Sequence, residues 1–392
     1  MLVDMGDMLR QAYAKGYAVG AFDLVSLDFL QAIIAGAEAQ RAPVILSLAE
    51  SHYGYFDPEL IMPAVRLAAE RAQVPVAIHL DHGSSLGAAI RGVNQGFNGV
   101  MVDASTEPFE ENVARTRAVV EMAHGCGVPV EGELGYVAGV EGEDAERHPG
   151  EVVYTSPDEA ERYVRETGVD FLAVSIGTVH GRMRGEPRLD FERLAAINAR
   201  LGIPLVIHGG TGLSDAQFRR LVDNGVAKIN YYTALADAAG AAICANVADG
   251  DKRTYTDLVK GVQAAIRVEV ERCIALWGSA GKAAEVASAC RPWREVDHVI
   301  FYNVDGAGPD ATARMMAEGR RVLAAIPGVR EVVSGSAESD AAAYRHYWLV
   351  RFAHPSVIDS YRVHPNHQAF ADTHFRPLAG DRITIDFRHK RD

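Results

Sequence analysis

This sequence has few cysteines and no long hydrophobic runs. The first shortage excludes a disulfide-rich secreted protein, and the second excludes a membrane-spanning helix. The 392 residues include only four cysteines, none in a C-x-x-C pair: Cys126, Cys244, Cys273 and Cys290. This spacing excludes a disulfide-rich secreted scaffold and predicts reduced thiols. The first residues lack a signal-peptide core, and no segment approaches the roughly 20 apolar residues of a membrane helix. We therefore expect a cytoplasmic protein with no membrane partner.

Positive charge is also in short supply. Lysine and arginine total 39 against 52 acidic residues, which gives a formal net charge of −13. A nucleic-acid partner would need a positive surface, so we expect none. A small anionic substrate stays compatible with this charge, because a bound metal ion can make one site locally positive.

What the sequence has instead is a regular alternation of short β-rich segments and amphipathic helical patterns. Because the β-segments are continuously apolar, they suit parallel strands covered on both faces. The pattern predicts an α/β fold, a (β/α)8 TIM barrel, over residues 1–288. The eight segments cover residues 18–23, 43–49, 74–81, 99–105, 129–135, 171–177, 204–210 and 226–231.

The rhythm changes near residue 290, where a smaller unit begins. The order of elements predicts an α+β domain over residues 289–392. Its predicted strands are 296–303, 329–335, 345–352 and 382–388, and its predicted helices are 309–324 and 366–376.

Polar residues stand at the carboxyl ends of the predicted barrel strands, where such barrels carry their chemistry. The stretch "VAIHLDHGSS" places Asp81 and His82 at the end of strand three, while His180 and His208 follow strands six and seven. Three histidines around one barrel mouth would match a catalytic zinc site, which uses three protein ligands and keeps one open position. Carboxylates are expected to hold metal-bound imidazoles, and Asp103 and Glu133 are the candidates.

Glycine-rich turns follow strands seven and eight, in "HGGTG" and "INYYT". The loops after these two strands commonly bind phosphate in such barrels, and the N–H groups of a helix N-terminus attract anions. The position of these turns therefore predicts a phosphate site.

Six ordered motifs give the first 285 residues a family resemblance. The motifs are "HLDHGSS", "GFNGVMVDAS", "EGELG", "AVSIGTVHG", "IHGGTGLSD" and "VAKINYYTAL". Together they resemble the class II, metal-dependent ketose-bisphosphate aldolases, which include the fructose- and tagatose-bisphosphate enzymes. The resemblance implies reversible cleavage of a ketose 1-phosphate or ketose 1,6-bisphosphate to dihydroxyacetone phosphate and an aldehyde. It also implies one Zn2+ per subunit, which stabilises an enediolate.

The same resemblance implies roles for individual residues. His82, His180 and His208 would bind zinc, Asp81 would handle the proton of the C4 hydroxyl, and Glu141 would move a proton at the enolate carbon. Lys228 is interpreted as structural, or as a contact to a monovalent cation or to the zinc surroundings, and not as a Schiff-base lysine. The residues expected around the phosphate of dihydroxyacetone phosphate are Gly181, Gly209, Gly210, Thr211, Asn230 and Thr233.

The half of the site that would receive the aldehyde departs from the fructose-bisphosphate pattern. Ala49 replaces a serine, Tyr232 an aspartate, Ala236 an arginine and Asp23 an asparagine. Loss of an arginine that binds the distal phosphate would cost about 2–3 kcal/mol. We hypothesise that the aldehyde partner is not glyceraldehyde 3-phosphate, and that the substrate is a ketose 1-phosphate or one whose aldehyde half has a different polar end.

Asp23, His52 and Tyr232 would then line the remodelled distal pocket. The alternative is a genuine fructose- or tagatose-1,6-bisphosphate aldolase in which another arginine binds the distal phosphate. The candidates for that arginine are Arg182, Arg184 and Arg267.

Residues 294–392 resemble the stress-responsive dimeric α/β-barrel (Dabb) family. The matching stretches are "VDHVIFYNV", "AAIPGVREVVSG", "YWLVRF", "YRVHPNHQAFADTHFRPL" and "ITIDF". The resemblance implies a ferredoxin-like unit whose sheet pairs with that of a second copy, and hence a homodimer or higher homo-oligomer. A ligand pocket around His298, His364 and His367, or a swapped contact with a neighbour's barrel mouth, stays open as an alternative.

Two other function classes compete with the aldolase. A two-metal barrel hydrolase would need an H-x-H entry, whereas "HLDH" spaces its histidines by three. A non-catalytic sugar-phosphate sensor would be favoured if Asp81 or one of the three histidines were missing. All four are present.

Overall fold

The fold is described from a computed structural model that covers residues 1–139, 153–182, 188–304 and 306–389. The chain forms two compact units, each described here by itself. The first comprises Met1–Leu86, Asn98–Val120 and Pro129–Pro292, and the second comprises Gly87–Phe97, Glu121–Val128 and Trp293–Asp392. Within the described ranges, every helix is too short or too polar to cross a bilayer.

Eight parallel strands close into a barrel in sequence order, which confirms the predicted (β/α)8 fold. Every residue of these strands is buried except His82, which is partly exposed. Continuous burial explains why the strands are apolar throughout and do not alternate. The strands are β1 (Val19–Asp23), β2 (Val44–Ala49), β3 (Val76–Gly83), β4 (Gly99–Val102), β5 (Val130–Leu134), β6 (Phe171–Val174), β7 (Leu205–Ile207) and β8 (Val226–Tyr231).

Helices alternate with these strands and continue after β8. The helix after β7 begins at the N-cap Ser214, whose hydroxyl accepts from the backbone N–H of Gln217 in a capping box. Such caps satisfy N–H groups that the first helical turn leaves without partners. The helices are α1 (Met5–Lys15), α2 (Leu27–Ala39), α3 (Pro58–Arg71), α4 (Leu86–Gln95), α5 (Phe109–Gly125), α6 (Pro157–Thr167), α7 (Phe191–Leu201), α8 (Asp215–Asp223), α9 (Thr233–Ala248), α10 (Tyr255–Leu258), α11 (Val262–Leu276) and α12 (Ala283–Ala289).

The amino-terminal half of the barrel interior is apolar and packs with α1. Inward-facing residues of the strands join residues of α1 in one cluster: Ala21, Ile45, Ala77, Phe171, Val206, Met5, Met8 and Leu9. This end of the barrel therefore stabilises the fold, and the polar strand residues lie toward the other end.

Arg291 ties α1 to the segment that follows α12. Its guanidinium donates to Asp4 Oδ2 at 3.0 Å and to Asp7 Oδ2 at 2.8 Å. Asp4 in turn caps α1 by accepting from the backbone N–H of Asp7 at 2.9 Å. Burial alone would raise the pKa of Asp7, but the hydrogen bonds from Arg291 and Arg10 lower it to about 2.

The second unit is a four-stranded antiparallel sheet in the order β10-β11-β9-β12, and helices cover one face. Tyr302 and Trp348 point to that covered face and contact Phe375 and Phe370. The arrangement is the predicted ferredoxin-like type. Its elements are β9 (Val296–Val304), α13 (Pro309–Leu323), β10 (Val329–Ser336), β11 (His346–Phe352), α14 (Val357–Val363), α15 (Pro365–Phe370), a π-helical turn (Ala371–Phe375) and β12 (Ala379–Arg388).

One prediction for this unit is incomplete. A single helix over 366–376 was expected, whereas α14 begins earlier and α15 then passes into the π-helical turn. Pro365 explains the break, because proline lacks an N–H and disfavours helical backbone in the residue before it. His364 accordingly adopts extended backbone and caps α15.

The other face of this sheet exposes large hydrophobic side chains. We call Phe301, Ile383, Ile385 and Phe387 the open sheet face; their relative exposures are 39%, 42%, 42% and 48%. Phe301 pairs with Ile383 across β9 and β12, so the four side chains form one continuous strip.

The contacts of Arg291 predict a pH-dependent contribution to stability. Arg291→Met should lower the thermal midpoint because Asp4 and Asp7 lose their partner. The pKa of Asp7 is depressed from 3.8 to about 2. Its contribution is therefore complete above about pH 4 and is lost as the pH falls through about 2. Thermal midpoints of the wild type and the variant should differ at neutral pH and converge between those two pH values. A constant gap would contradict this account, and Arg219→Met on the exposed side of α8 serves as the control.

Candidate active site

Three histidines from three strand ends meet at the carboxyl-terminal mouth of the barrel. His82 ends β3, His180 follows β6 and His208 follows β7. Their ring centroids lie 4.7 Å apart for His82 and His208, 5.0 Å for His82 and His180, and 5.7 Å for His180 and His208. One nitrogen from each ring lies within 4.8 Å of the other two. The structure thus brings together the three residues that the sequence predicted as zinc ligands.

The backbone at His82 is strained. Its φ is 46°, in the left-handed region that non-glycine residues seldom adopt. The pairing of β3 with β4 also shifts register between Leu80 and Gly83. Such irregularities re-aim side chains, and a residue held in this way costs on the order of 1–3 kcal/mol. Here the distortion turns the His82 ring toward the other two imidazoles.

Each histidine donates one ring N–H to an oxygen that can only accept. His82 Nδ1 lies 2.8 Å from Asp103 Oδ2, His208 Nε2 lies 3.0 Å from Glu131 Oε1, and His180 Nδ1 lies 3.1 Å from the Val137 carbonyl oxygen. In a neutral imidazole the opposite nitrogen then carries a lone pair. All three rings are therefore oriented to present lone pairs, as metal-binding histidines are.

Two of these lone pairs face one another. His82 Nε2 and His208 Nδ1 are 2.9 Å apart, and two acceptors at that distance need a cation between them or a proton on one of them. A divalent metal ion satisfies this need, and three imidazoles with an open fourth position suit Zn2+. The donor set therefore fits the metal that the sequence predicted.

Two carboxylates beside the histidines have pKa values displaced in opposite directions. Burial alone would raise the pKa of Asp81, but the positive charge of His82 lowers it well below its usual range. Asn230 Nδ2 donates to Asp81 Oδ1 at 2.8 Å. Burial raises the pKa of Glu133 well above its usual value. Asp81 is thus held as an ionised base, while Glu133 favours the neutral form.

A buried polar layer lies beneath these groups, and sequence reasoning missed part of it. Glu131 and His79 are fully buried, and His79 Nε2 lies 3.7 Å from Glu131 Oε2. Burial alone would raise the pKa of Glu131, but the charge of Lys228 lowers it to about 2. The signal was present: side chains alternate along a strand, so Glu131 shares the inward face of Glu133, and His79 that of Asp81.

The loops after β6 and β7 place the predicted phosphate residues close to backbone. Gly181 and Gly209 adopt φ values of 81° and 70°. A Cβ at Gly209 would collide with the Val179 carbonyl oxygen, so this turn requires glycine. Thr233 begins α9. Asn230 lies lower, between Asp81 and Lys228.

The predicted distal-pocket residues are buried near the same mouth. His52 and Tyr232 have ring centroids 4.4 Å apart, and Ala49 pairs with Asp81 across β2 and β3. Neither ring nitrogen of His52 has a hydrogen-bond partner among the described residues. Asp23, at the end of β1, is fully buried.

Two of the three arginines that were candidates for binding the distal phosphate form ion pairs with acidic residues. Arg182 forms an ion pair with Asp237, which follows Ala236 in α9, and Arg267 pairs with Glu271. Glu141 and Arg184 lie outside the described residues.

The histidines of the small unit make local contacts. His298 Nδ1 lies 2.6 Å from Asp386 Oδ1, and the His367 ring centroid lies 4.3 Å from that of Tyr361. His364 accepts from the Asn366 N–H as the cap of α15. The ligand pocket offered as an alternative for these three residues stays a prediction.

Comparison with known proteins gives family matches for both parts of the chain. The model described as Fructose-bisphosphate aldolase class-II matches residues 3–282, and the model described as Stress responsive A/B Barrel Domain matches residues 296–389. Both resemblances predicted from the sequence are confirmed.

Individual relatives agree. The fructose-bisphosphate aldolase of Geobacillus stearothermophilus is 42% identical over 290 residues, which is 72% of this chain and 99% of that protein. A Bacillus subtilis (strain 168) protein named probable fructose-bisphosphate aldolase is 46% identical over 235 residues, 59% of this chain and 81% of that one. The crystal structure of the YdjI aldolase from Escherichia coli K12 superposes with a TM-score of 0.64 at 35% identity, covering 72% of this chain and all (100%) of that one.

The histidine geometry predicts that zinc binding releases a proton. Burial alone would lower the pKa of His82, but Asp81 and Asp103 raise it well above its usual value. Because a metal ligand must be deprotonated, zinc affinity should rise with pH while His82 is still protonated. Calorimetry of zinc binding near pH 7, in buffers of different ionisation enthalpy, should show about one proton released per ion.

Asp103→Asn tests the source of that proton. It removes a carboxylate that raises the pKa of His82, so fewer protons should be released at the same pH. Asp215→Asn, an exposed residue of α8, is the control. Equal release by the wild type and Asp103→Asn would show that His82 is not the group that titrates.

Proposed function

Since the chain belongs to the class-II fructose-bisphosphate aldolase family over residues 3–282, we propose that it is a zinc-dependent aldolase. It reversibly cleaves a ketose 1-phosphate to dihydroxyacetone phosphate and an aldehyde. The observation that carries the proposal is the convergence of three imidazoles, each anchored by a hydrogen bond at one ring nitrogen, beside the ionised Asp81.

The residues of the chain divide the chemistry among them. When held by His82, His180 and His208, Zn2+ supplies a Lewis acid for the carbonyl of the ketose. Asp81 accepts the proton of the C4 hydroxyl as the C3–C4 bond breaks, and the bonding electrons stay with the three-carbon fragment. Asn230 holds the Asp81 carboxylate in one orientation. We assign to Glu141 the return of a proton to C3, which completes dihydroxyacetone phosphate.

The substrate phosphate is proposed to bind the turns after β6, β7 and β8. Gly181 and Gly209 both adopt left-handed backbone, and a Cβ at Gly209 would collide with the Val179 carbonyl oxygen. Glycine turns of this kind let an anion approach the peptide N–H groups. Gly210, Thr211 and Thr233 lie in the same turns or at the start of α9. Backbone N–H groups at a helix N-terminus favour an anion.

The distal end of the substrate is proposed to be uncharged. His52, Tyr232 and Asp23 are buried, and we assign them to the distal pocket, where Ala236 stands in place of the arginine that the family resemblance implies. A buried carboxylate such as Asp23 disfavours an anion nearby, whereas it can accept hydrogen bonds from hydroxyl groups. The alternative, a fructose- or tagatose-1,6-bisphosphate aldolase, rests on Arg182, whose partner Asp237 follows Ala236.

Substrate profiling tests the activity and the distal pocket together. Zinc-loaded protein should release dihydroxyacetone phosphate at least about tenfold faster from ketose 1-phosphates than from ketose 1,6-bisphosphates, because one charge-assisted contact is missing. A chelator should abolish turnover, and added zinc should restore it. A preference for a bisphosphate supports the alternative, and binding without turnover on any substrate supports a sugar-phosphate sensor.

Ala236→Arg is the matching variant. Restoring the arginine should improve kcat/KM for a ketose 1,6-bisphosphate by about 10- to 100-fold, and Ala241→Arg on the exposed side of α9 should not. No gain from Ala236→Arg would show that this position is not what excludes the second phosphate.

We also propose that the small unit pairs with a second copy of the chain through the open sheet face. This strip of four large hydrophobic side chains is continuous across β9 and β12. Exposed apolar patches of this kind mark association sites. The match of residues 296–389 to the Stress responsive A/B Barrel Domain supports the same surface.

A charge placed on this face should disrupt the pair. Ile385→Glu is expected to reduce the mass measured by light scattering, because a carboxylate would be buried without a partner. Thr384→Glu, one residue away on the other face of β12, is the matched control and should leave the mass unchanged. An unchanged mass for Ile385→Glu would show that subunits associate elsewhere.

A further inference from the structure

Lys228 is a charged residue buried completely inside the barrel. Its ammonium lies 2.8 Å from Glu131 Oε2 and donates to Asn230 Oδ1 at 2.6 Å. A buried charge is unfavourable by several kcal/mol unless it is paired and hydrogen-bonded. Each of these two partners in turn contacts a residue of the active site: Asn230 contacts Asp81, and Glu131 contacts His208.

The first route runs through Asn230 to the proposed base. A lysine ammonium can only donate, so it must face the oxygen of the Asn230 amide. The amide nitrogen is thereby directed at Asp81 Oδ1, 2.8 Å away. Asp81 accepts at one end of the amide and Lys228 donates at the other, so the two contacts together fix the position of the Asn230 side chain. Without the ammonium, the amide loses the contact at its oxygen and directs its N–H at the base less tightly.

The second route runs through Glu131 to a proposed zinc ligand. Glu131 uses Oε2 for Lys228 and Oε1 for His208 Nε2, at 3.0 Å. That contact keeps the proton on Nε2 and leaves the lone pair on Nδ1, which faces His82. The ammonium holds the carboxylate in the orientation that this requires. Lys228 therefore also acts on the metal site.

We propose that Lys228 is a positioning residue that orients the base Asp81 through Asn230 and the metal ligand His208 through Glu131. This role rests on the proposed aldolase function, although its metal half can be tested without turnover. The same contacts explain why Lys228 does not act as a Schiff-base nucleophile. An ammonium paired with Glu131 and hydrogen-bonded to Asn230 has no lone pair with which to attack a carbonyl.

The test replaces Lys228 with methionine, which keeps most of the volume and removes the donor. Zinc affinity, measured by competition with a chromogenic chelator, should weaken about 10- to 100-fold. At saturating zinc, kcat for dihydroxyacetone phosphate release should fall about 100-fold, as expected for a misoriented base, while KM stays within about threefold. Lys15→Met, an exposed lysine of α1, should change neither quantity.

Double-mutant cycles separate the two routes. In a Glu131→Gln background, Lys228→Met should produce no further loss of zinc affinity. In an Asn230→Ala background, it should produce no further loss of kcat at saturating zinc. Additive losses in both backgrounds would overturn the proposal, because Lys228 would then act by some other path. A lower melting temperature with zinc affinity and kcat unchanged would also overturn it, since the residue would be structural only.

Two further outcomes are a Lys228→Met variant that does not fold and a wild-type protein that cleaves no ketose phosphate. If Lys228→Met does not fold, Lys228→Gln replaces it: the neutral amide keeps a donor but loses the charge, so both zinc affinity and kcat should fall, and the same two double-mutant cycles apply. If the wild type cleaves no ketose phosphate, the proposed function fails, and the zinc cycle with Glu131→Gln still decides whether Lys228 supports the metal site.

Discussion

The ion pair between Lys228 and Glu131 lies at a level of the barrel where branched hydrophobic side chains are ordinarily packed. Toward the amino-terminal ends of the strands, residues such as Ala77 and Phe171 fill the interior without polar atoms. Toward the carboxyl ends, almost every inward contact of the site is a hydrogen bond or an ion pair. The pair therefore divides the barrel into a part that stabilises the fold and a part that holds reactive groups. Each partner is tolerated only because the other is present, so the two parts depend on one another.

The site is assembled from features that are individually unfavourable. His82 has a left-handed backbone, two imidazole lone pairs stand 2.9 Å apart, and Glu133 is a buried acid with a raised pKa. The surrounding strands impose these features because β3, β5 and β7 are fixed by their pairing partners. A cation between the imidazoles relieves the second feature and also lowers the cost of the third. Such preorganisation is what an electrostatic catalyst requires, since the groups need not rearrange during the reaction.

The alternation of apolar strands and amphipathic helices was enough to predict the barrel, and strand-end polarity was enough to predict His82, His180 and His208. Glu131 was missed because one strand contributes both it and Glu133, and a motif such as "EGELG" does not say which carboxylate meets which imidazole. The helical segment after Phe352 was predicted incompletely, since Pro365 signals a break but not the helix that precedes it. The family resemblance implied a phosphate contact for Asn230, and its contacts with Asp81 and Lys228 were not predicted because they depend on side-chain directions that only the folded barrel shows.

The three imidazoles have a consequence for metal selection. Nitrogen donors of this kind follow the Irving–Williams order, in which copper(II) binds more tightly than zinc and cobalt(II) or nickel(II) bind less tightly than copper. No thiolate is among the proposed ligands, and Cys126, Cys273 and Cys290 are buried elsewhere. A site built from these three ligands would therefore select its metal by supply more than by affinity. Copper excess, more than zinc scarcity, is the condition under which such a site takes up the wrong ion.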